Sequence, residues 1–295
     1  MADHYTVLLS KLDESFNIQE TRNYSLSIQF NETGFAYCIL DVRRNKYIVL
    51  QQFRKNEFTT PQHPSKSTFD DFLHQLITTM PWLKNQYKSL LIAYEGKKST
   101  LIPGPLFDPA ERESYLQFNY QEAQEEQLFS DHLTPLDNHL VFSVPNATVN
   151  SLRKHFPGVR IHHLTSVLIE SIWINYKNRI NANRVFLQLR DKYFDLVLFD
   201  GRQMSYCNAF SYQNAEDVVY YLIFVLEQLN LNPENIYVIL LGHVERSSSL
   251  FELLSKYVRH IEFGRRNDTY KYCYAINQVS QQSFYPLLNF QSCGL

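Results

Sequence analysis

SLSIQFNETGFAYCILDVRRNKYIVLQ, residues 25–51, holds three apolar runs separated by two short polar turns. The runs are 26–30, 35–42 and 46–51; the turns are NETG (31–34) and RRN (43–45). Short runs rich in Ile, Val, Tyr and Phe read as strands, and turns this tight join antiparallel neighbours. A polar loop with two prolines follows, FTTPQHPSKS (58–67). Ser67 or Thr68 is then placed to cap a helix in which Phe69, Phe72, Leu73, Leu76 and Ile77 recur at helical spacing. SLLIAYEG (89–96) reads as a short buried strand that ends in glycine.

The same order returns later. RVFLQL (184–189), FDLVLFD (194–200) and QMSYCNAF (203–210) are three strands with short turns. A helix over 216–229 is apolar nearly all round, which predicts deep burial. NIYVILLG (235–242) is another buried strand ending in glycine, and Asp41 and Asp200 close the second strand of the two copies. Three antiparallel strands, a helix and a glycine-ended strand, given twice, point to an α/β protein of two ribonuclease-H-like domains with five-stranded mixed sheets flanked by helices. The competing reading is two unrelated α/β segments.

Between the copies, 97–137 carries two Pro-containing turns, a predicted helix near 109–120 and the acidic stretch QEAQEEQ (121–127), and reads as an inserted subdomain. HLVFSV (139–144) is expected as a strand and Asn146 as the cap of a helix to about 156. VRIHHL (159–164) is the next expected strand, and Thr165 the cap of a helix to about Tyr176 that crosses to the second domain. Ser248 or Ser249 should cap a helix through Val258, before a last strand at 259–263. Residues 1–23 read as a polar lead-in. The expected domains are 1–180 and 181–295, the second including a C-terminal tail.

The stretches 26–50 and 140–172 resemble a bacterial domain-of-unknown-function family, numbered 3822, over nearly the whole chain. That resemblance implies an actin-like ATPase arrangement of duplicated ribonuclease-H-like domains, as in the actin, hexokinase and Hsp70 superfamily. The middle segment is more distantly similar to the domain-joining region of actin-like pilus and secretion scaffolds. In the superfamily, nucleotide phosphates lie between two β-hairpins whose turns read Asp-x-Gly, and a glycine pair after a later strand packs on adenosine. Here the first turn is Asn31, Glu32, Thr33, Gly34 and the second is Arg190, Asp191, Lys192, Tyr193. The adenosine turn holds Gly242 followed by His243. Glu32, Thr33, Gly34, Asp191, Lys192, Gly242 and His243 are therefore the nucleotide-cleft candidates, and no Asp-x-Gly exists in the chain. Without those glycines, backbone N–H groups lose their close approach to phosphate. ATP with magnesium is the cofactor that the resemblance implies and the loops argue against.

Composition excludes more than it installs. The chain has 295 residues and only 8 glycines, with Gly96 and Gly104 the closest pair. G-x-G-x-x-G, the P-loop and the nucleophile elbow all need glycines nearer together, so none is present. Cys38, Cys207, Cys273 and Cys293 are too far apart for a C-x-x-C motif. Lys plus Arg is 28 against 30 Asp plus Glu, a net charge of −2 that argues against a nucleic-acid partner; the Arg265–Arg266 pair is too small to alter that. VVYYLIFVL (218–226), the longest apolar run, is too short to span a bilayer. The start of the chain lacks the pattern of a signal peptide, which leads to an expected cytoplasmic location.

Other constellations read as structural. His162 and His163 are adjacent on a strand and so point to opposite faces. Asp70 and His74 could meet one helical turn apart, but nothing completes a metal site. His243 and Glu245 lack the cysteine pair of a zinc deaminase. Asp41 and Asp200 read as solvated turn residues rather than nuclease ligands, and Ser247–Ser249 as helix caps. The expected function is non-catalytic: a degenerate actin-like scaffold that binds another cytoplasmic protein. The alternative is an ATPase or small-molecule kinase with divergent phosphate loops.

Overall fold

The computed structural model describes residues 5–56, 68–120, 125–178 and 183–295. Its first sheet begins earlier than the sequence suggests. β1 (Tyr5–Leu12) occupies the expected lead-in, followed by β2 (Tyr24–Phe30), β3 (Gly34–Asp41) and β4 (Lys46–Lys55). β2, β3 and β4 form the predicted meander; β1 adds antiparallel to β4 as an edge. Val7, Leu8 and Leu12 are exposed on that edge, so β1 lacks the buried alternation by which a strand is recognised.

α1 (Phe69–Thr79) starts at a capping box: the Thr68 hydroxyl accepts from Asp71 N–H, and the Asp71 carboxylate accepts from Thr68 N–H. Ser67, the other expected cap, falls outside the described residues, as do the loop over 58–67 and the first part of the acidic stretch. All five predicted apolar positions of α1 are buried against the sheet. β5 (Ser89–Tyr94) runs parallel to β2.

The chain then leaves the sheet. β6 (Ser99–Pro103), α2 (Arg112–Gln117), β7 (Glu126–Leu133) and β8 (Asn138–Pro145) follow, and β8 lies between β6 and β7 in a separate three-stranded antiparallel sheet. β8 is the strand expected at 139–144, and it pairs with β7, its neighbour in sequence, across a turn where Asp137 takes a left-handed conformation. α3 (Asn146–His155) follows Pro145 and has no side-chain cap, contrary to the role expected for Asn146. β9 (Ile161–His163) returns the chain to the first sheet, parallel to β5.

α4 (Leu164–Tyr176) leads into β10 (Arg184–Leu189), β11 (Tyr193–Asp200), β12 (Gln203–Ser211), α5 (Ala215–Gln228), β13 (Tyr237–Gly242), α6 (Ser249–Leu254) and β14 (His260–Phe263). The second sheet has the order β12-β11-β10-β13-β14; the first contains β4-β3-β2-β5-β9. The two cores share one topology, with three antiparallel strands and then two parallel ones. The expected boundary near Asn181 falls outside the described residues.

The tail does not stay with the second sheet. β15 (Lys271–Tyr272) pairs parallel with β4, making the first sheet seven-stranded. α7 (Tyr274–Asn277) and α8 (Tyr285–Asn289) then bury Ile276, Leu287 and Leu288 against Ala36, Cys38, Leu40 and Leu50 of that sheet. One apolar core runs from the first sheet through Leu168, Ile169 and Ile172 of α4 to Phe186, Val197, Phe199, Ile239 and Leu241 of the second. Among the described residues no helix is long and apolar enough to cross a membrane.

Candidate functional site

The two hairpin turns expected to hold phosphate approach each other. In the first, the Asn31 side chain accepts from Thr33 N–H and Oγ1, and Asn31 N–H donates to the Gly34 carbonyl. Glu32 and Thr33 are exposed. In the second, Arg190 N–H donates to the Tyr193 carbonyl, leaving Asp191 and Lys192 exposed at the tip. Arg54, beside the first turn, lies 3.7 Å from the Asp191 carboxylate, so an exposed ion pair links the tips.

Beneath that pair lies a buried polar cluster, and beside it a cavity of about 380 Å³ is lined by Lys97, Tyr120, Thr165, Asp195 and Cys207 among others. The Arg190 side chain is only 3% exposed. Its Nε donates to Asp195 Oδ2 at 2.8 Å, and a terminal nitrogen lies 3.5 Å from Glu95 Oε1. Glu95 follows β5 and also accepts from Gln29 Nε2 of β2 at 2.8 Å, so one guanidinium joins carboxylates from both halves. Thr165 Oγ1, from α4, donates to Asp195 Oδ1 at 3.1 Å. Burial alone would lower the Arg190 pKa, but the charges of Asp195 and Glu95 and the nearby Tyr193 outweigh it and hold the group above its ordinary value. Tyr193 lies against the guanidinium, and burial pushes its phenol well up.

His163 closes the inner wall. Its Nδ1 accepts from Thr165 N–H at 3.2 Å, which makes His163, not Thr165, the cap of α4. Its Nε2 must then carry the proton and donate to the Gly96 carbonyl at 3.0 Å. Burial lowers the His163 pKa to about 4. His162 faces Asp131 of β7 at 2.9 Å, and Asp131 also accepts from His163 N–H. The histidine pair therefore ties the inserted sheet to the first one.

Gly242 closes β13 with φ +90°, and a Cβ there would meet the Leu189 carbonyl oxygen at 2.1 Å. Its glycine is required by the packing of β13 against β10. Its N–H donates to the Gln282 carbonyl, and Gln282 Nε2 donates to the Val244 carbonyl at 2.6 Å. The tail thus occupies the turn's hydrogen bonds. His243 is exposed and meets Phe284 edge-on at 5.2 Å. Beside this turn, a cavity of about 510 Å³ is lined by His243, Glu245, Ser247, Asn214 and Tyr212 among others.

A family model for a protein of unknown function, DUF3822, matches residues 13–261. The chain belongs to the DUF3822 family. A Bacteroides thetaiotaomicron protein of actin-like ATPase fold and unknown function is similar over 94% of this chain and 99% of its own, at 21% identity and a TM-score of 0.79. A chain of the PilM–PilN type IV pilus biogenesis complex is similar over 90% of this chain and 96% of its own, at 11% identity and a TM-score of 0.60. No curated protein matches. The fold of this DUF3822 chain is thus that of the actin-like ATPases, as the sequence resemblance implied.

Among the described residues of this DUF3822 protein, no group of three His, Cys, Asp or Glu side chains could hold a metal ion. Asp70 does not meet His74; it accepts from Ser151 and pairs with Lys154 at 2.8 Å, joining α1 to α3. Asp41 is buried and accepts from Arg44 N–H, while Asp200 is exposed. Ser248 caps α6, its hydroxyl accepting from Phe251 N–H. Sequence reasoning missed Glu95, Thr165, Arg190 and Asp195 as a cluster. A signal existed: Asp195 interrupts the apolar run of β11, and a charge at such a position needs a buried partner. Gln282 gave none.

Proposed function

We propose that this protein is a non-catalytic actin-like module that works by binding a protein partner in the cytoplasm, and that its two sheets arose by duplication. The carrying observation is the buried Arg190, which draws Glu95 and Asp195 together between the hairpins. The resemblance places phosphates between such hairpins. A cleft holding an internal ion pair, with carboxylates from both walls already satisfied, offers little to magnesium or phosphate. The Gly242 turn adds to this, because its N–H donates to Gln282. Membership of the PilM–PilN neighbour in a two-protein assembly also supports the partner-binding reading, and the common strand order supports duplication.

The cavity beside Gly242 favours one other reading, an ATPase or small-molecule kinase with divergent loops. Thermal denaturation with Mg-ATP, Mg-ADP or neither separates the two. A ligand at 100 times its Kd stabilises by about 2.7 kcal/mol, a shift of a few degrees for a chain of this size. The non-catalytic reading expects no shift at millimolar nucleotide. A magnesium-dependent shift lost in a His243→Glu variant would favour the enzyme.

A further inference from the structure

The helix over 216–229 was expected to be deeply buried, and α5 departs from that. Val218, Leu222, Val225 and Leu226 are buried, but the opposite stripe is open: Tyr220 is 63% exposed and Phe224 44%. Their rings stack at 6.2 Å. Half-buried Ile223 and buried Val219 border the stripe, and Leu253 and Tyr257 face it from α6 and the turn after it, with Tyr257 54% exposed. Together they form a groove of about 390 Å³.

The charges of the groove are one-signed. Glu216 and Glu227 line its two ends, and neither lysine nor arginine lines it. Asp217 is turned to other work, accepting from Gln213 N–H at the helix start. Lys256, next to Tyr257 in sequence, lies outside the lining. The eleven-residue step from Glu216 to Glu227 spans about 16 Å along a helix. Exposed aromatics with a polar rim are what interfaces use, and grooves between helices take amphipathic helices through anchors at i, i+3, i+4 and i+7.

We infer that this groove docks a short amphipathic helix of a partner protein, apolar on one face and carrying Lys or Arg at each end about 16 Å apart. The inference rests on the partner-binding reading and names the partner's chemistry. A second copy of this chain is the wrong occupant. Two-fold packing of the groove on itself would set Glu216 and Glu227 of one copy against the same carboxylates of the other, where like charges repel.

The test is a selection from a display library of random 16-residue peptides against the full chain, followed by fluorescence anisotropy with the enriched peptides. Expected sequences carry the helical apolar spacing with basic residues at both ends. They should lose at least tenfold in affinity to Tyr220→Glu/Phe224→Glu, and a comparable amount to Glu216→Lys/Glu227→Lys, which keeps the apolar floor. Circular dichroism should show both variants folded, since the changed side chains are on the surface. Peptides that bind both variants as they bind the wild type overturn the groove while leaving partner binding elsewhere intact. Enrichment without basic ends, or no enrichment, also overturns it. A concentration-dependent dimer abolished by Tyr220→Glu/Phe224→Glu would put a second copy there instead. The nucleotide titration bears on the partner-binding reading separately.

Discussion

Arg190 is the residue on which the cleft turns, because removing it leaves two carboxylates facing each other in the interior. Breaking a buried pair by taking one partner costs about 3–5 kcal/mol, whereas replacing the whole pair with apolar groups is often close to neutral. Arg190→Met should therefore destabilise by about 3 kcal/mol or more in urea unfolding, and Arg190→Met/Asp195→Leu should recover part of that loss. Equal losses for the two variants would mean that the ion pair itself is not what holds the site. His163 gives a second prediction. Its pKa falls from 6.5 to about 4 on folding, so the unfolded chain binds the proton more readily. The stabilisation is present in full above pH 6.5 and is lost as pH falls toward 4, a contribution of about 3 kcal/mol across that window. The cause is burial of the imidazole, and a proton on Nδ1 would in addition confront the N–H of Thr165 and uncap α4. Unfolding free energies from pH 4 to 8 should fall with acid more steeply for the wild type than for His163→Gln.

At the scale of elements, the glycines sort by what they touch. Gly242→Ala puts a methyl into the Leu189 carbonyl at φ +90°, where strain of about 1–3 kcal/mol per residue is usual before the clash is added. Gly34→Ala meets only ordinary contacts, with Asn31 Oδ1 and the Phe53 carbonyl both at 3.4 Å, and should change stability by under about 0.5 kcal/mol. Paired urea titrations test this, and equal effects would remove the distinction. The contrast also bears on what could be read in advance. The meanders β2–β4 and β10–β12 were legible because their turns are short and their strands buried, and the caps at Thr68 and Ser248 because hydroxyls before apolar periodicity have one obvious task. β1 was not legible, since an exposed edge leaves no alternation. β8 was legible as a strand but not its place in a separate sheet, because a strand reveals its own pattern but not its neighbours. The outer stripe of α5 misled for the converse reason: Tyr220 and Phe224 look like core until the fold shows nothing over them. The site was legible as loops without Asp-x-Gly, but the polar cluster beneath them joins residues from four separate elements and turns.

For the whole molecule, the decisive feature is that the segment after the second sheet returns to pack on the first. After the second sheet is complete, β15, α7 and α8 return to the first and bury Cys273, Ile276, Leu287, Leu288 and Phe290 there. Burying each of the larger apolar side chains contributes about 1.5–3 kcal/mol against the entropy of ordering the segment, so the tail's packing is a substantial part of what holds the first sheet's outer face. The second half cannot detach without this cover being disturbed, because Gln282 in the same segment holds the Gly242 turn. The shared core through α4 adds a second tie. The two sheets should consequently unfold together. Trp82 packs against the core of the first sheet and Trp173 lies on α4, which joins the two, so their fluorescence reports the first sheet and the junction, while far-ultraviolet circular dichroism reports both sheets. Coincident urea transitions by the two probes are the expected result. Leu287→Ala, a cavity in the tail's packing, should move both transitions together and cost about 2–5 kcal/mol. If the fluorescence transition shifted while part of the dichroism change stayed in place, the halves would be independent, and the tail would be a local cover rather than the clasp of the molecule.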